Sequence, residues 1–153
     1  MGKEALHSFE TWLLNGQLPP AVRAWGALRC VEIVGGLSLT GSMYRVESTA
    51  TRHYRTLTLR VLCRPENEVG EPRVLDFAYR ARIPDLPPGR YTLRVRHSVL
   101  FRTPHGQIAS TIFTAYEREI QVPSPEDSSA AEDDAGEGRV VHWNGRHSWA
   151  RQD

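Results

Sequence analysis

The sequence predicts an all-β protein, an antiparallel β-sandwich of six to seven strands with a short N-terminal helix and a flexible C-terminal tail. Three observations carry this expectation. From Val22 to Val122 the apolar residues recur with a period of two, the spacing of a strand with one buried face. Turn-rich stretches join these runs, with no helical stretch between them. A chain of 153 residues, 40% hydrophobic and 24% charged, is also large enough to bury a real core.

In chain order, "KEALHSFETWLLNG" places Leu6, Phe9 and Leu13, with Trp12, at helical spacing, and Gly16 stands where such a helix would end. This predicts a helical arm over residues 1–17, too short to be stable alone and therefore docked on the domain or on a partner. The prolines of "QLPPA" fix φ and force an extended connection into the domain, residues 18–122. There "AVRAWGALRCVEIV" and "LSLTGSMYRVE" meet at Gly35-Gly36, which reads as a two-residue hairpin turn.

The next run, "HYRTLTLRVLC", aligns Leu57, Leu59, Val61 and Cys63 on one face. After the polar loop "RPENEVGEP", the run "RVLDFAYRARIP" gathers Phe77, Tyr79, Ala81 and Ile83. The run "GRYTLRVRHSVLF" puts Tyr91, Leu93, Val95, Val99 and Phe101 on one parity and Arg90, Arg94 and Arg96 on the other. The turn "TPHGQ" leads into "IASTIFTAYEREIQV", where Ile112, Thr114, Tyr116, Ile120 and Val122 share a parity.

The stretch "LPPGRYTLRVRH", followed by a closing strand, resembles the penultimate strand of immunoglobulin-like and fibronectin type III-like sandwiches. In those proteins a Pro-Gly turn leads into a Tyr-x-Leu-x-Val strand. The resemblance covers about a dozen residues and implies architecture alone. The Cys-Trp-Cys arrangement of antibody domains is missing, since Trp25 precedes Cys30 and no tryptophan lies between Cys30 and Cys63.

The net charge of +1 conceals a polar layout. Residues 18–122 carry +6, residues 123–138 carry −6, residues 139–153 carry +2 and residues 1–17 carry −1. Lys3 is the one lysine among nineteen basic residues. Arginine offers a planar fork for carboxylate and phosphate, although genomic base composition also favours its codons. Residues 123–138, rich in Pro, Ser, Ala, Gly and acids, read as an acidic flexible linker. Residues 139–153 then hold Val140, Val141, Trp143 and Trp149, and read either as a tethered docking peptide or as an extra strand on the chain's own sheet.

No catalytic signature emerges: there is no GxSxG elbow, no GxxxxGK[ST] loop and no GxGxxG opening a helix. Of the histidines at 7, 53, 97, 105, 142 and 147, His97 lies on inward parity and is expected to be a satisfied core or edge histidine rather than a catalyst. His142 and His147 lack the further ligands a metal site needs. Glu117 and Glu119 share one strand face, which solvation explains. Cys30 and Cys63 sit in apolar runs and read as buried thiols, or as a cross-sheet disulfide if the protein is exported. The chain is therefore expected to be no enzyme and to carry no cofactor and no metal.

The remaining signal is the arginine rows. Arg80 and Arg82, Arg94 and Arg96, and Arg60 and Arg64 all take outward parity. Neighbouring strands would make them one basic cluster, whereas strands in different sheets would make them separate solvated rows. The expected partner-binding residues are Arg80, Arg82, Arg94 and Arg96, with Trp143, Arg146 and Trp149 in the tail. The favoured function is a non-enzymatic protein–protein interaction module. It would be an accessory or structural subunit, docking on a larger assembly through its sheet face and terminal arms.

The alternatives are binding of an anionic ligand, nucleic acid or acidic polysaccharide, by the Arg-rich face, and binding of a glycan by Trp25 and the tail tryptophans. No run approaches 18 apolar residues, so no transmembrane segment is expected. The start lacks the apolar block of a signal peptide, which implies the cytoplasm, or export if the N-terminus has been trimmed.

Overall fold

A computed structural model describes residues 2–41, 43–66 and 73–125. The chain is nearly all strand, in two sheets that do not close into a barrel. Among the described residues nine strands follow one another: β1 (Lys3–Glu4), β2 (Ser8–Leu13), β3 (Arg23–Ala27), β4 (Cys30–Gly41), β5 (Tyr44–His53), β6 (Thr56–Pro65), β7 (Arg73–Ile83), β8 (Gly89–Arg102) and β9 (Ile108–Val122). The five-stranded sheet has the order β1-β5-β6-β8-β9, and the four-stranded sheet the order β2-β7-β4-β3. Every pairing is antiparallel except β6 with β8, which is parallel because β7 carries the chain through the other sheet between them.

One core lies between the sheets. Leu57, Leu59, Val61 and Cys63 of β6, with Leu93 and Val95 of β8, face Ile33 of β4 and Phe77, Tyr79, Ala81 and Ile83 of β7. Most are wholly buried, as their alternation predicts, and each large aliphatic side chain so buried contributes about 1.5–3 kcal/mol. Cys30 and Cys63 are both buried and not joined in a disulfide, and burial pushes the Cys63 thiol up to about 12.

Three expectations are corrected. The N-terminal segment forms no helix: β2 pairs with the edge of β7 from Ser8 opposite Arg82 to Leu13 opposite Phe77. Phe9 stacks on Tyr79 at 5.6 Å, while Leu6 and Leu13 stay exposed, so the apolar residues at helical spacing do not share a buried face. The open backbone groups of β7 capture a segment too short to hold a helix by itself.

Gly35-Gly36 is not a turn either. Strand β4 runs straight through it against β7, and the chain reverses instead at Leu28-Arg29, where Arg29 takes φ 60°. The glycines serve close packing. A Cβ on Gly35 would lie 2.5 Å from the Tyr79 hydroxyl. One on Gly36 would meet the Phe77 carbonyl at 2.5 Å and both Pro19 and Pro20 at 2.8 Å. Those prolines belong to the segment that carries the chain from β2, at one side of the four-stranded sheet, to β3 at the other.

The third correction concerns β9. A bulge at Ala115, between Tyr116 opposite Val95 and Thr114 opposite Arg96, switches its parity. Tyr116 packs against the core, whereas Ile112 and Thr114 lie on the outer face opposite Ser98 and Arg96. Phe113 instead turns to the inner side, edge-on to His97 at 5.4 Å.

Candidate interaction surfaces

The arginine rows divide between the two sheets. Arg80 and Arg82 project from β7 on the outer face of the four-stranded sheet. Arg82 donates from Nε and Nη2 to one oxygen of Glu32, at 3.0 and 2.7 Å. Glu32 is buried on β4 directly opposite, and its hydrogen bond holds the Arg82 guanidinium above its ordinary pKa. Arg80 lies 4.0 Å from Glu10 of β2. Burial lowers its pKa, and the attraction of Glu10 and Glu32 opposes that shift. These two expected binding residues are thus engaged within the fold.

Arg94 and Arg96 lie on the outer face of the other sheet, with Arg60 and Arg64 of β6. Most arginines here meet acids: Arg94 with Glu117 at 2.7 Å, Arg90 with Glu119 at 4.0 Å, and Arg45 and Arg64 with Glu47 at 3.5 and 3.8 Å. Glu117 and Glu119, which sequence spacing makes look idle, are the counter-ions of β8. Arg60 and Arg96 differ. They stand directly opposite each other on parallel neighbours, both exposed, with no ion pair among the described residues. Arg60 reaches Ser98 Oγ at 3.5 Å. The six arginines thus form separate rows in different sheets, and of the alternative, a single cluster, only this adjacent pair remains. Trp143, Arg146 and Trp149 lie outside the described residues.

A second surface was not anticipated. β8 and β9 continue as a two-stranded ribbon past the last β6–β8 partners, Cys63 and Val99, to the turn at 103–107. Thr103 and Gln107 close that turn with a 2.7 Å backbone hydrogen bond. The ribbon exposes Phe101, Ile108, Ile112 and Phe113, each between 38% and 53% accessible. Among the described residues β9 ends the sheet, and its stretch from Ile108 to Tyr116 contains no charged residue. Nearer its C-terminal end that edge is closed by β3, where Gly26 rests against the Gln121 carbonyl so tightly that a Cβ would overlap it. The sequence signal, "IASTIFTAY" in the closing strand, was legible, but only the strand order shows that it forms an edge.

Tyr79 and His97 are hydrogen-bonded at 2.7 Å inside the core, and burial lowers the His97 pKa to about 4. Two open grooves, of about 640 and 450 Å³, are lined by Trp12, Leu13, Val74 and Asp76, and by Lys3, Leu6, Arg52 and Tyr54. Among the described residues no three His, Cys, Asp or Glu side chains are grouped to hold a metal ion, and no helix is long and apolar enough to cross a membrane. Trp25, expected to be free for a sugar, is half-buried on β3 with its indole nitrogen inaccessible. No family model matches the chain, and no curated protein or solved structure shows significant similarity to it.

Proposed function

We propose that this chain is a non-enzymatic protein-interaction module, a mostly antiparallel β-sandwich of immunoglobulin-like architecture that docks as an accessory subunit on other protein. The supporting observation is the uncharged edge of β9 with its exposed Ile108, Ile112 and Phe113. Soluble sheets usually blunt an edge of this kind with charge, proline or a covering element, and an edge without them accepts an added strand. Of the other outer strands, β1 has two residues, β2 carries Glu10, and β3 is short and packs on the end of β9. The terminal arms of this reading are the N-terminal strands and the Trp143, Arg146 and Trp149 segment.

The test compares the proteins retained from the native source by the wild-type chain and by an Ile112→Lys variant. Loss of a specific partner with the variant supports the reading. Identical recovery by both overturns it.

A second reading, binding of an anion such as nucleic acid or an acidic polysaccharide, is favoured by the Arg60–Arg96 pair. Like charges on directly opposed strand positions destabilise a sheet unless an anion joins them. Retention of the full chain on heparin at low salt, lost on Arg60→Gln/Arg96→Gln substitution, is its expected signature.

A further inference from the structure

We infer that the β9 edge pairs with the β9 edge of a second copy of this chain, joining two five-stranded sheets across a twofold axis. The inference rests on the reading of that edge as a protein-binding surface and specifies the partner.

Alternate residues of an edge strand direct their N–H and C=O groups away from the sheet, so among the described residues β9 offers an unpaired ladder wherever β3 does not cover it. Over Ile108–Tyr116 that ladder is flanked by β-branched, aromatic and small residues alone, a composition suited to strand pairing. What favours a second copy is self-complementarity. An antiparallel pair about a twofold axis at Ile112 sets Ile112 against its own equivalent. It also sets Thr111 against the second copy's Phe113 and Ser110 against the second copy's Thr114. Apolar thus meets apolar, β-branched meets aromatic, and hydroxyl meets hydroxyl.

The faces agree as well. Ser110, Ile112 and Thr114 all lie on the outer side and Thr111 and Phe113 on the inner, because the parity switch at Ala115 falls just beyond this stretch. Glu117 and Arg118 would fall opposite residues 107 and 106 of the turn, so no charge confronts a like charge. Closed twofold pairing is also the commonest form of self-association.

Sedimentation velocity of the full chain, from low micromolar to several hundred micromolar, tests the inference together with concentration-dependent hydrogen exchange of the 108–116 amides. The expected result is a doubling of mass with rising concentration, and slowing of those amides in step. Ile112→Lys brings two ammonium groups together at the axis and is expected to weaken the dimer at least about tenfold. Thr114→Lys, at an exposed position two pairs from the axis, gives a second variant should the first fail to fold, with circular dichroism checking both.

A chain monomeric throughout overturns the inference, whether its 108–116 amides exchange freely or are covered by its own C-terminal residues. A dimer unaffected by folded lysine variants overturns it equally. If the chain is monomeric yet Ile112→Lys still loses a specific partner, the interaction-module reading survives without this inference. If nothing is lost, both fall.

Discussion

The Tyr79 hydroxyl and His97 Nε2 meet 2.7 Å apart in the core, one from each sheet, and form a buried polar bond between β7 and β8. His97 is 2% accessible and Tyr79 is 1%, so neither can exchange this bond for water. Desolvation pushes the tyrosine pKa up and the histidine pKa down, and both groups stay neutral near pH 7.

Acidification should unfold the protein through His97. The unfolded imidazole takes up its proton near 6.5 and the folded one at about 4. Between these values unfolding binds a proton, so the stability gained by keeping His97 neutral is fully present above the upper value and is lost progressively toward the lower one. The loss is roughly 3 kcal/mol. Denaturant titrations at pH 7 and near pH 4 measure it, and His97→Gln should flatten this part of the pH dependence.

Removing one member of the pair should cost more than removing both polar groups together. Tyr79→Phe leaves His97 Nε2 without its partner in a dry site and is expected to destabilise by about 1–3 kcal/mol. Tyr79→Phe/His97→Phe should recover part of that loss. A double-mutant cycle on equilibrium unfolding isolates the coupling.

The Arg82–Glu32 pair should respond asymmetrically. The Glu32 side chain is 4% accessible and that of Arg82 is 49%. Arg82→Met strands a buried carboxylate and should cost about 3 kcal/mol or more. Glu32→Met leaves a guanidinium that can turn into water, and is expected to cost less than about 1 kcal/mol. Equal losses in unfolding midpoints would contradict this picture.

Gly26→Ala should loosen the contact between the two sheets where β3 meets β9. The added methyl overlaps the Gln121 carbonyl, which is backbone and cannot rotate away. A loss of about 2 kcal/mol or more is expected, with faster amide exchange at residues 120–122. Gly16→Ala meets no neighbour and serves as a control that reports backbone strain alone, since Gly16 has φ 77°.

Several elements were readable before any coordinates because one residue's chemistry decided them. Leu57, Leu59, Val61 and Cys63 alternate with polar neighbours, and burial of that face follows from solvent alone. The inward parity of Tyr91, Leu93, Val95 and His97 was legible in the same way. The glycine pair was misread because sequence shows that a residue lacks a Cβ but not what would strike one. At Gly35 and Gly36 it is Tyr79, Phe77 and two prolines, whereas the true reversal uses Arg29 at positive φ. The N-terminal segment was misread because its strand is imposed from outside, by the unpaired edge of β7.

The sequence by itself thus determined the strand period, the composition of the core and the segregation of charge, because each depends on single residues and their near neighbours. The tertiary structure decided which arginines meet acids, which pair stands unneutralised and which strand is left at an edge. Those outcomes depend on strand order and register, which bring residues 10 and 80, 32 and 82, and 60 and 96 side by side. Free energy at such sites is set by neighbours distant in the chain, and no local pattern in a single sequence encodes them.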